Sequence, residues 1–227
     1  MSIRPGFIRA ADGSCLIEMG RTRVICTASF VQGLPKWRKE SKLGWVTAEY
    51  GMLPGSTVPR RDRPTRQRDG RSVEIQRLIG RTLRCAVCFE RLGENTIYLD
   101  CDVIEADGGT RSASITGAQV ALAVALARGA ERGLCAKRAL SGAVAGVSVG
   151  IVDGRAVLDL DYAEDAAAEV DMNVAMTRGG NFVEIQGSGE GGTFDDAQLA
   201  LMLRLARRGI GRLLAMQRQA IAEWRSR

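Results

Sequence analysis

Three short segments of this 227-residue chain hold residue types that can do chemistry together. The first is Ala106-Asp107-Gly108-Gly109-Thr110-Arg111-Ser112, between a strand-like run, Thr96–Glu105, and an apolar stretch of helical spacing. Strand, Gly-Gly turn and helix start make a phosphate cradle. Glycine lets the backbone approach an anion, first-turn N–H groups point outward without partners, and Arg111 adds a fork of donors. Thr110 and Ser112 can donate hydroxyls. A structural alternative is that Asp107 and Thr110 cap the helix while glycine makes the corner. The second segment, Gly70-Arg71-Ser72-Val73-Glu74-Ile75, opens another helix, and Arg71 beside that start suits a second set of phosphate oxygens, although any neighbouring arginine could serve. The third is acidic: Asp159, Asp161, Glu164, Asp165, Glu169 and Asp171. In the strand Asp171–Thr177, Met172, Val174 and Met176 alternate towards a core, which leaves Asp171 and Asn173 on the opposite face. Clustered carboxylates suit a divalent cation or a general acid, and equally a solvated loop.

Several chemistries are excluded or weakened. The chain has no histidine, so Ser-His and Cys-His nucleophiles and histidine metal sites are out. Cys85-Ala-Val-Cys88 has the C-x-x-C spacing but no second pair to complete a zinc site, so buried helical thiols are expected, all six cysteines being reduced. Gly187-Ser188-Gly189-Glu190-Gly191-Gly192 matches G-x-G-x-x-G, yet the chain ends after the following helix without the second parallel strand a dinucleotide site needs.

To hold these segments in place, strands are expected at Ser14–Met19, Thr22–Phe30, Thr96–Glu105, Ala143–Val152, Ala156–Leu160, Asp171–Thr177 and Asn181–Gln186. Met19-Gly20-Arg21, Asp153-Gly154 and Gly179-Gly180 make hairpin turns. Helical periodicity covers Ser72–Arg91, Ser114–Ala130 and Asp195–Trp224. Hairpins with intervening helices indicate a mixed α/β or α+β domain spanning 1–227, not doubly wound βαβ repeats. Pro54–Gly70 lacks core-forming periodicity. From Pro59 to Arg84 run nine arginines against Asp62, Asp69 and Glu74, which accounts for the whole net charge of +6. Such a strip favours a polyanion, or is a solvated face. The longest purely apolar run, Val120–Ala127, is too short to span a bilayer, and no secretory signal is evident, so a soluble cytoplasmic protein is expected.

Longer stretches carry a resemblance. Gly44-Trp45-Val46-Thr47-Ala48-Glu49-Tyr50-Gly51-Met52-Leu53-Pro54 and Glu74-Ile75-Gln76-Arg77-Leu78-Ile79-Gly80-Arg81 resemble signature stretches of bacterial ribonuclease PH. So do Leu99-Asp100-Cys101-Asp102-Val103-Ile104-Glu105-Ala106-Asp107-Gly108-Gly109-Thr110-Arg111 and Glu164-Asp165-Ala166-Ala167-Ala168-Glu169-Val170-Asp171-Met172-Asn173. The resemblance implies the ribonuclease PH fold, similar to domain 2 of ribosomal protein S5, in a ring hexamer built as a trimer of dimers. It implies phosphate binding by Arg71, Gly109, Thr110 and Arg111, catalysis by Asp165 and Asp171, help from a divalent metal such as Mg2+ on those carboxylates, and tRNA contacts by Arg60 and Arg63; Arg66, in the same basic loop, is expected to join them through its charge. The implied reaction uses inorganic phosphate to trim the 3′ ends of tRNA precursors and releases nucleoside diphosphates. Two departures stand out: Arg4-Pro5 abuts Gly6 where the family has a longer segment, and Gly55 stands where an arginine is usual. A catalytically silent RNA-binding ring subunit and a metal-dependent hydrolytic nuclease are the competing readings.

Overall fold

A computed structural model describes residues 1–63 and 69–226. In the N-terminal half, alternating apolar residues build strands β1 (Ser2–Pro5), β2 (Gly13–Met19), β3 (Thr22–Gln32), β4 (Trp45–Met52) and β5 (Asn95–Glu105). They form one sheet in the order β1-β2-β3-β5-β4, antiparallel except for the β4–β5 pair. A parallel pair needs a crossover, and here it contains helices α1 (Gly70–Arg84) and α2 (Phe89–Leu92). Helix α3 (Thr110–Glu131) follows β5. In the C-terminal half, β6 (Val144–Val152), β7 (Arg155–Leu158), β8 (Val170–Thr177) and β9 (Phe182–Gly189) form an antiparallel sheet ordered β7-β6-β8-β9. Helix α4 (Tyr162–Ala167) lies between β7 and β8, and the long helix α5 (Asp196–Arg225) follows β9.

The order of layers follows from which faces are apolar. Helix α3 is buried nearly all round, with Ala113, Val120, Ala121, Leu122, Val124 and Ala125 inaccessible, because it lies between the two sheets. A helix apolar on every side must be enclosed. By length and composition α3 could cross a membrane, but 83% of its most apolar window is buried within the protein. On one side it meets β2 so closely that a Cβ on Gly13 would stand 2.1 Å from the Ala121 carbonyl oxygen. On the other, Gly146 of β6 faces Ile115. Helix α5 covers the far face of the second sheet, where Gly209 approaches Val147 and Leu158. Buried Gln217 ties the layers by donating to the carbonyls of Thr116 and Val144, both at 3.0 Å. One continuous core runs through both halves.

The expected strands and hairpins are present within a few residues of their bounds, and Met172, Val174 and Met176 are buried as their alternation required. Four differences have physical causes. The helix expected over Ser72–Arg91 stops at Arg84, because the chain pairs there with a later segment: Cys88 N–H donates to Ala139 O and Ser141 N–H to Ala86 O. That break leaves Cys85 exposed and Cys88 half-exposed, not buried in a helix. The unexpected strand β4 is an edge strand whose Val46, Ala48 and Tyr50 face the core. Strand β1 pairs with β2 although it carries Pro5, which an edge tolerates. Helix α4 is held by a capping box of Asp161 and Glu164.

Gly13→Ala should lower stability by about 2 kcal/mol, in the range for overpacking a core, because the added methyl meets backbone that cannot swing away. Urea denaturation at unchanged m-value reads it; an unaltered midpoint would show that the β2–α3 contact is loose.

Candidate active site

The two helix starts differ in a way their sequences do not reveal. Helix α1 is capped: Asp69 accepts from Ser72 N–H at 2.6 Å and its other oxygen pairs with Arg61 at 3.2 Å. The backbone hydrogen bond from Ser72, with Arg61 nearby, holds the Asp69 carboxyl below the usual range. The first turn of α1 is thus already engaged by a carboxylate, and Arg71 contributes through its side chain. Helix α3 begins at Gly109 in the left-handed conformation, with no side-chain cap. Asp107 and Thr110 therefore do not cap it, and its first-turn amides are directed at the cleft.

Gly108 and Gly109 both have positive φ, 76° and 57°. Gly108 also packs directly on the next segment: a Cβ there would lie 2.4 Å from Leu160 O and 2.7 Å from the Asp161 carbonyl carbon. From the first sheet, buried Thr22 donates to Gly108 O at 2.6 Å and accepts from Asp107 N–H at 2.8 Å. The turn is pinned on both sides.

The segment it touches is anchored in turn to β6. Asp159 N–H donates to Ser148 O at 2.8 Å and Leu160 N–H to Ser148 Oγ at 3.1 Å. The chain then turns through Asp159 (φ 64°) into α4, which presents Asp165 to the same space. Strand β8 supplies Asp171 and Asn173 from the face opposite Met172.

The result is a cleft of about 640 Å³ lined by Arg61, Arg71, Gly108, Gly109, Thr110, Arg111, Ser148, Tyr162, Asp165, Asp171, Asn173, Ser188 and Glu190, among others. It brings together every residue expected to bind phosphate (Arg71, Gly109, Thr110, Arg111) and both expected catalytic carboxylates (Asp165, Asp171). Arg60 and Arg63 are not in its wall; Arg60 is exposed and pairs with Asp62 at 3.1 Å. Arg66 lies outside the described residues.

Two buried polar atoms in this wall lack partners among the described residues: Asp171 Oδ1 and Arg111 Nε. Arg111 is otherwise held by Glu74, at 3.2 Å, and its side chain is only 20% exposed. Burial, reinforced by Asp165 and Glu190, pushes the Asp171 carboxyl above the usual range, with Arg111 and Arg71 pulling the other way. Unsatisfied buried donors and acceptors are costly, so this pair marks where a ligand supplies what the protein does not. The Tyr50 hydroxyl donates to Thr110 Oγ1 at 2.9 Å, which leaves the Thr110 proton free to point elsewhere. Burial raises the Tyr50 phenol, and it stays neutral beside Arg71 and Arg111.

Sequence reasoning missed Ser148, Tyr162 and Arg61 as cleft residues, and Tyr50 as the buried partner behind Thr110. It also set aside Gly187–Gly192 as a chance match, while Ser188 and Glu190 of that loop line the cleft, Ser188 donating to Glu190 at 3.0 Å. The Asp161-x-x-Glu164 capping signature was the available signal for α4. No group of three or more Cys, Asp or Glu side chains among the described residues could enclose a metal. Mg2+ fits Asp165 and Asp171 only with substrate oxygens and water completing its shell, the usual manner for this ion.

Comparison with known proteins agrees with this geometry. The rice (Oryza sativa) Rrp46 structure superposes with a TM-score of 0.78 at 16% identity, over 97% of this chain and 93% of that one. The Archaeoglobus fulgidus exosome with RNA bound to the active site gives 0.78 at 23% identity, covering 94% and 86%. An archaeal exosome core gives 0.74 at 22%, covering 96% and 85%. These likenesses establish the mixed α/β ribonuclease PH fold, of the ribosomal protein S5 domain 2-like kind. Residues 1–127 match domain 1 of the 3′ exoribonuclease family and residues 142–209 match domain 2; the chain belongs to the 3′ exoribonuclease (RNase PH) family.

Proposed function

We propose that this protein is a phosphate-dependent 3′→5′ exoribonuclease that shortens RNA, tRNA precursors among its substrates, and works as a homo-oligomeric ring, a hexamer built as a trimer of dimers. The observation that carries the reading is the juxtaposition, in one cleft, of an uncapped helix start, two arginines and a buried carboxylate with an orphaned oxygen.

Phosphorolysis sets one anion to attack another, so a site must neutralise both and then protonate the leaving oxygen. The α3 amides, Thr110, Arg111 and Arg71 hold orthophosphate in line with the terminal phosphodiester. A phosphate oxygen bonds to that phosphorus, the P–O3′ bond breaks, and the proton goes to the departing ribose oxygen. The products are a nucleoside 5′-diphosphate and RNA one residue shorter; the reverse reaction extends the RNA. Asp171, its carboxyl raised by burial, is placed to deliver the proton. Alternatively Asp165 and Asp171, both ionised, would hold Mg2+, which would supply charge neutralisation at the scissile phosphate and the leaving oxygen in place of that proton.

A second reading, a catalytically silent RNA-binding subunit of an exosome-like ring, is favoured by the structural neighbours, which come from exosomes. Against silence stands the complete set Arg71, Gly109, Thr110, Arg111, Asp165 and Asp171 in one cleft. Incubation of 3′-extended RNA with and without orthophosphate separates the readings. Shortening should require phosphate, release diphosphates and reverse with excess nucleoside diphosphate. Bound but uncut RNA would support the silent subunit, and monophosphates in phosphate-free buffer a hydrolase.

Asp171 and Arg111 should fail differently. Asp171→Asn should lower turnover by roughly 10²–10⁴-fold, the range for a lost general acid, with RNA binding retained. It should also stabilise the protein at pH 7. The native state binds the Asp171 proton more tightly than the unfolded state, so stability falls as pH rises from the unfolded pKa through the raised native one. Asparagine removes that loss, and the gain should vanish at pH below the ordinary carboxylate range. Arg111→Ala should mainly weaken phosphate use, by about 1.5–3 kcal/mol. A normal turnover in Asp171→Asn would assign the proton to another carboxylate.

Arg60, Arg63 and Arg66 are proposed to grip the body of the RNA. Arg60 and Arg63 are solvent-exposed beside the cleft wall formed by Thr57 and Arg61. Their joint replacement by Ala should weaken binding of a tRNA precursor and flatten its salt dependence, leaving trimming of a short unstructured oligonucleotide almost unchanged. Parental behaviour on both substrates across a salt series would refute the grip.

A further inference from the structure

Helix α5 carries six arginines on one side. Arg204, Arg207, Arg208, Arg212, Arg218 and Arg225 are all exposed, and no Asp or Glu occurs from Ala197 to Ala222. At 100° per residue they gather within roughly 140° of arc, centred opposite the buried line of Met202, Ala206, Leu213 and Ala220. The array extends over about 32 Å at 1.5 Å per residue. Arg207 is partly engaged, stacked 4.6 Å from the Phe182 ring and donating to Gly180 O. The other five make no ion pair with a carboxylate among the described residues.

Such an array opposes folding. Like charges at i, i+4, as in Arg204, Arg208 and Arg212, destabilise a helix, and interleaved Glu would have relieved the repulsion. The other exposed residues along this arc are mostly small or polar, Ala200, Gly211, Ala215, Gln219 and Ala222, with Leu201 the one large apolar side chain among them. A protein-docking surface needs an apolar centre for its anchors, whereas this ridge offers one exposed large apolar side chain, Leu201, at its N-terminal end. Small residues between guanidinium forks instead allow close approach of a strand whose phosphates each accept a bidentate pair.

We infer that the outer face of α5 is a second RNA-binding surface, read through phosphates and without sequence preference. This rests on the exoribonuclease reading above but goes beyond its cleft. Helix α5 packs on the side of the second sheet that holds Val147, whereas Asp171 and Asn173 face the other way. The arginines therefore cannot touch the terminal nucleotides, and they serve an RNA long enough to pass round the sheet.

The test is the triple variant Arg204→Gln, Arg208→Gln, Arg212→Gln, outside the proposed cleft machinery. Filter binding of a structured RNA of about 70 nucleotides and of a short oligonucleotide is measured across a salt series, with phosphorolysis of both. The long RNA should bind at least tenfold more weakly, and its log-log salt slope should fall by about 2, since each phosphate that is no longer neutralised removes roughly 0.7–0.9 from the slope. Short-oligonucleotide trimming should match the parent. Unchanged long-RNA affinity and slope overturn the inference, as does a change of oligomeric state in sedimentation with the salt slope intact, which would make the face a protein interface. Loss of activity by the parent on every RNA would instead sink the exoribonuclease reading, and the binding slopes would still decide this one.

Discussion

The site depends on one contact: the Gly108 backbone lying against the Leu160–Asp161 backbone. The cleft's arginines and the open helix start come from the N-terminal half and its carboxylates Asp165 and Asp171 from the C-terminal half, built on separate sheets. Any side chain at 108 would push them apart, and its φ of 76° already disfavours one. Thr22, with a hydrogen bond in each direction, fixes the same turn to the first sheet. Farther out, Arg81 of α1 forks onto Glu184 of β9 at 2.7 and 2.8 Å, a second tie between the halves. The cleft is held by rigid elements on both sides of one tight turn, as groups acting on one phosphorus require.

Its electrostatics follow from that geometry. Bringing Asp171 under cover beside Asp165 raises its carboxyl, and the protein leaves Oδ1 without a hydrogen bond that would lower it again. Arg111 meets the same condition from the other sign, with Nε buried and unpartnered while Glu74 occupies the far end of the guanidinium. The protein alone solvates each group less well than water would, and in the phosphorolytic reading proposed above a phosphate and a leaving oxygen would satisfy both. Local instability of this sort is what differential binding of a transition state draws on.

Much of this was legible in the sequence, and the rest was hidden for identifiable reasons. Met172, Val174 and Met176 showed which face of β8 Asp171 occupies, since alternation is a local property. Gly-Gly-Thr-Arg after a strand showed where a tight turn opens into a helix, because turn and helix start are local too. Strand β4 was read only as a family signature, although Trp45, Val46, Thr47 and Tyr50 favour a strand and Val46, Ala48 and Tyr50 alternate towards the core. The end of α1 could not be seen, since Cys88 leaves the helix for a partner, Ala139, about fifty residues away. Nor could Tyr50 be placed beside Thr110, sixty residues on.

Why one helix start is left open and the other closed is also decided at long range. Both α1 and α3 carry an arginine at the second helical position, Arg71 and Arg111. At α1 the preceding residue is Asp69, whose carboxylate caps Ser72 and draws in Arg61, so the positive end of the helix is neutralised from within. At α3 the residue before the helix is Gly109, which has no side chain to offer, and Asp107 commits its backbone N–H to Thr22. The field of α3 is left open to the cleft, with Arg71 reaching in from a helix whose own field is closed. An anion entering the cleft thus meets one helix terminus and the guanidinium groups of Arg71 and Arg111, with Arg61 tied to Asp69, a directional arrangement that a cluster of arginines alone would not provide.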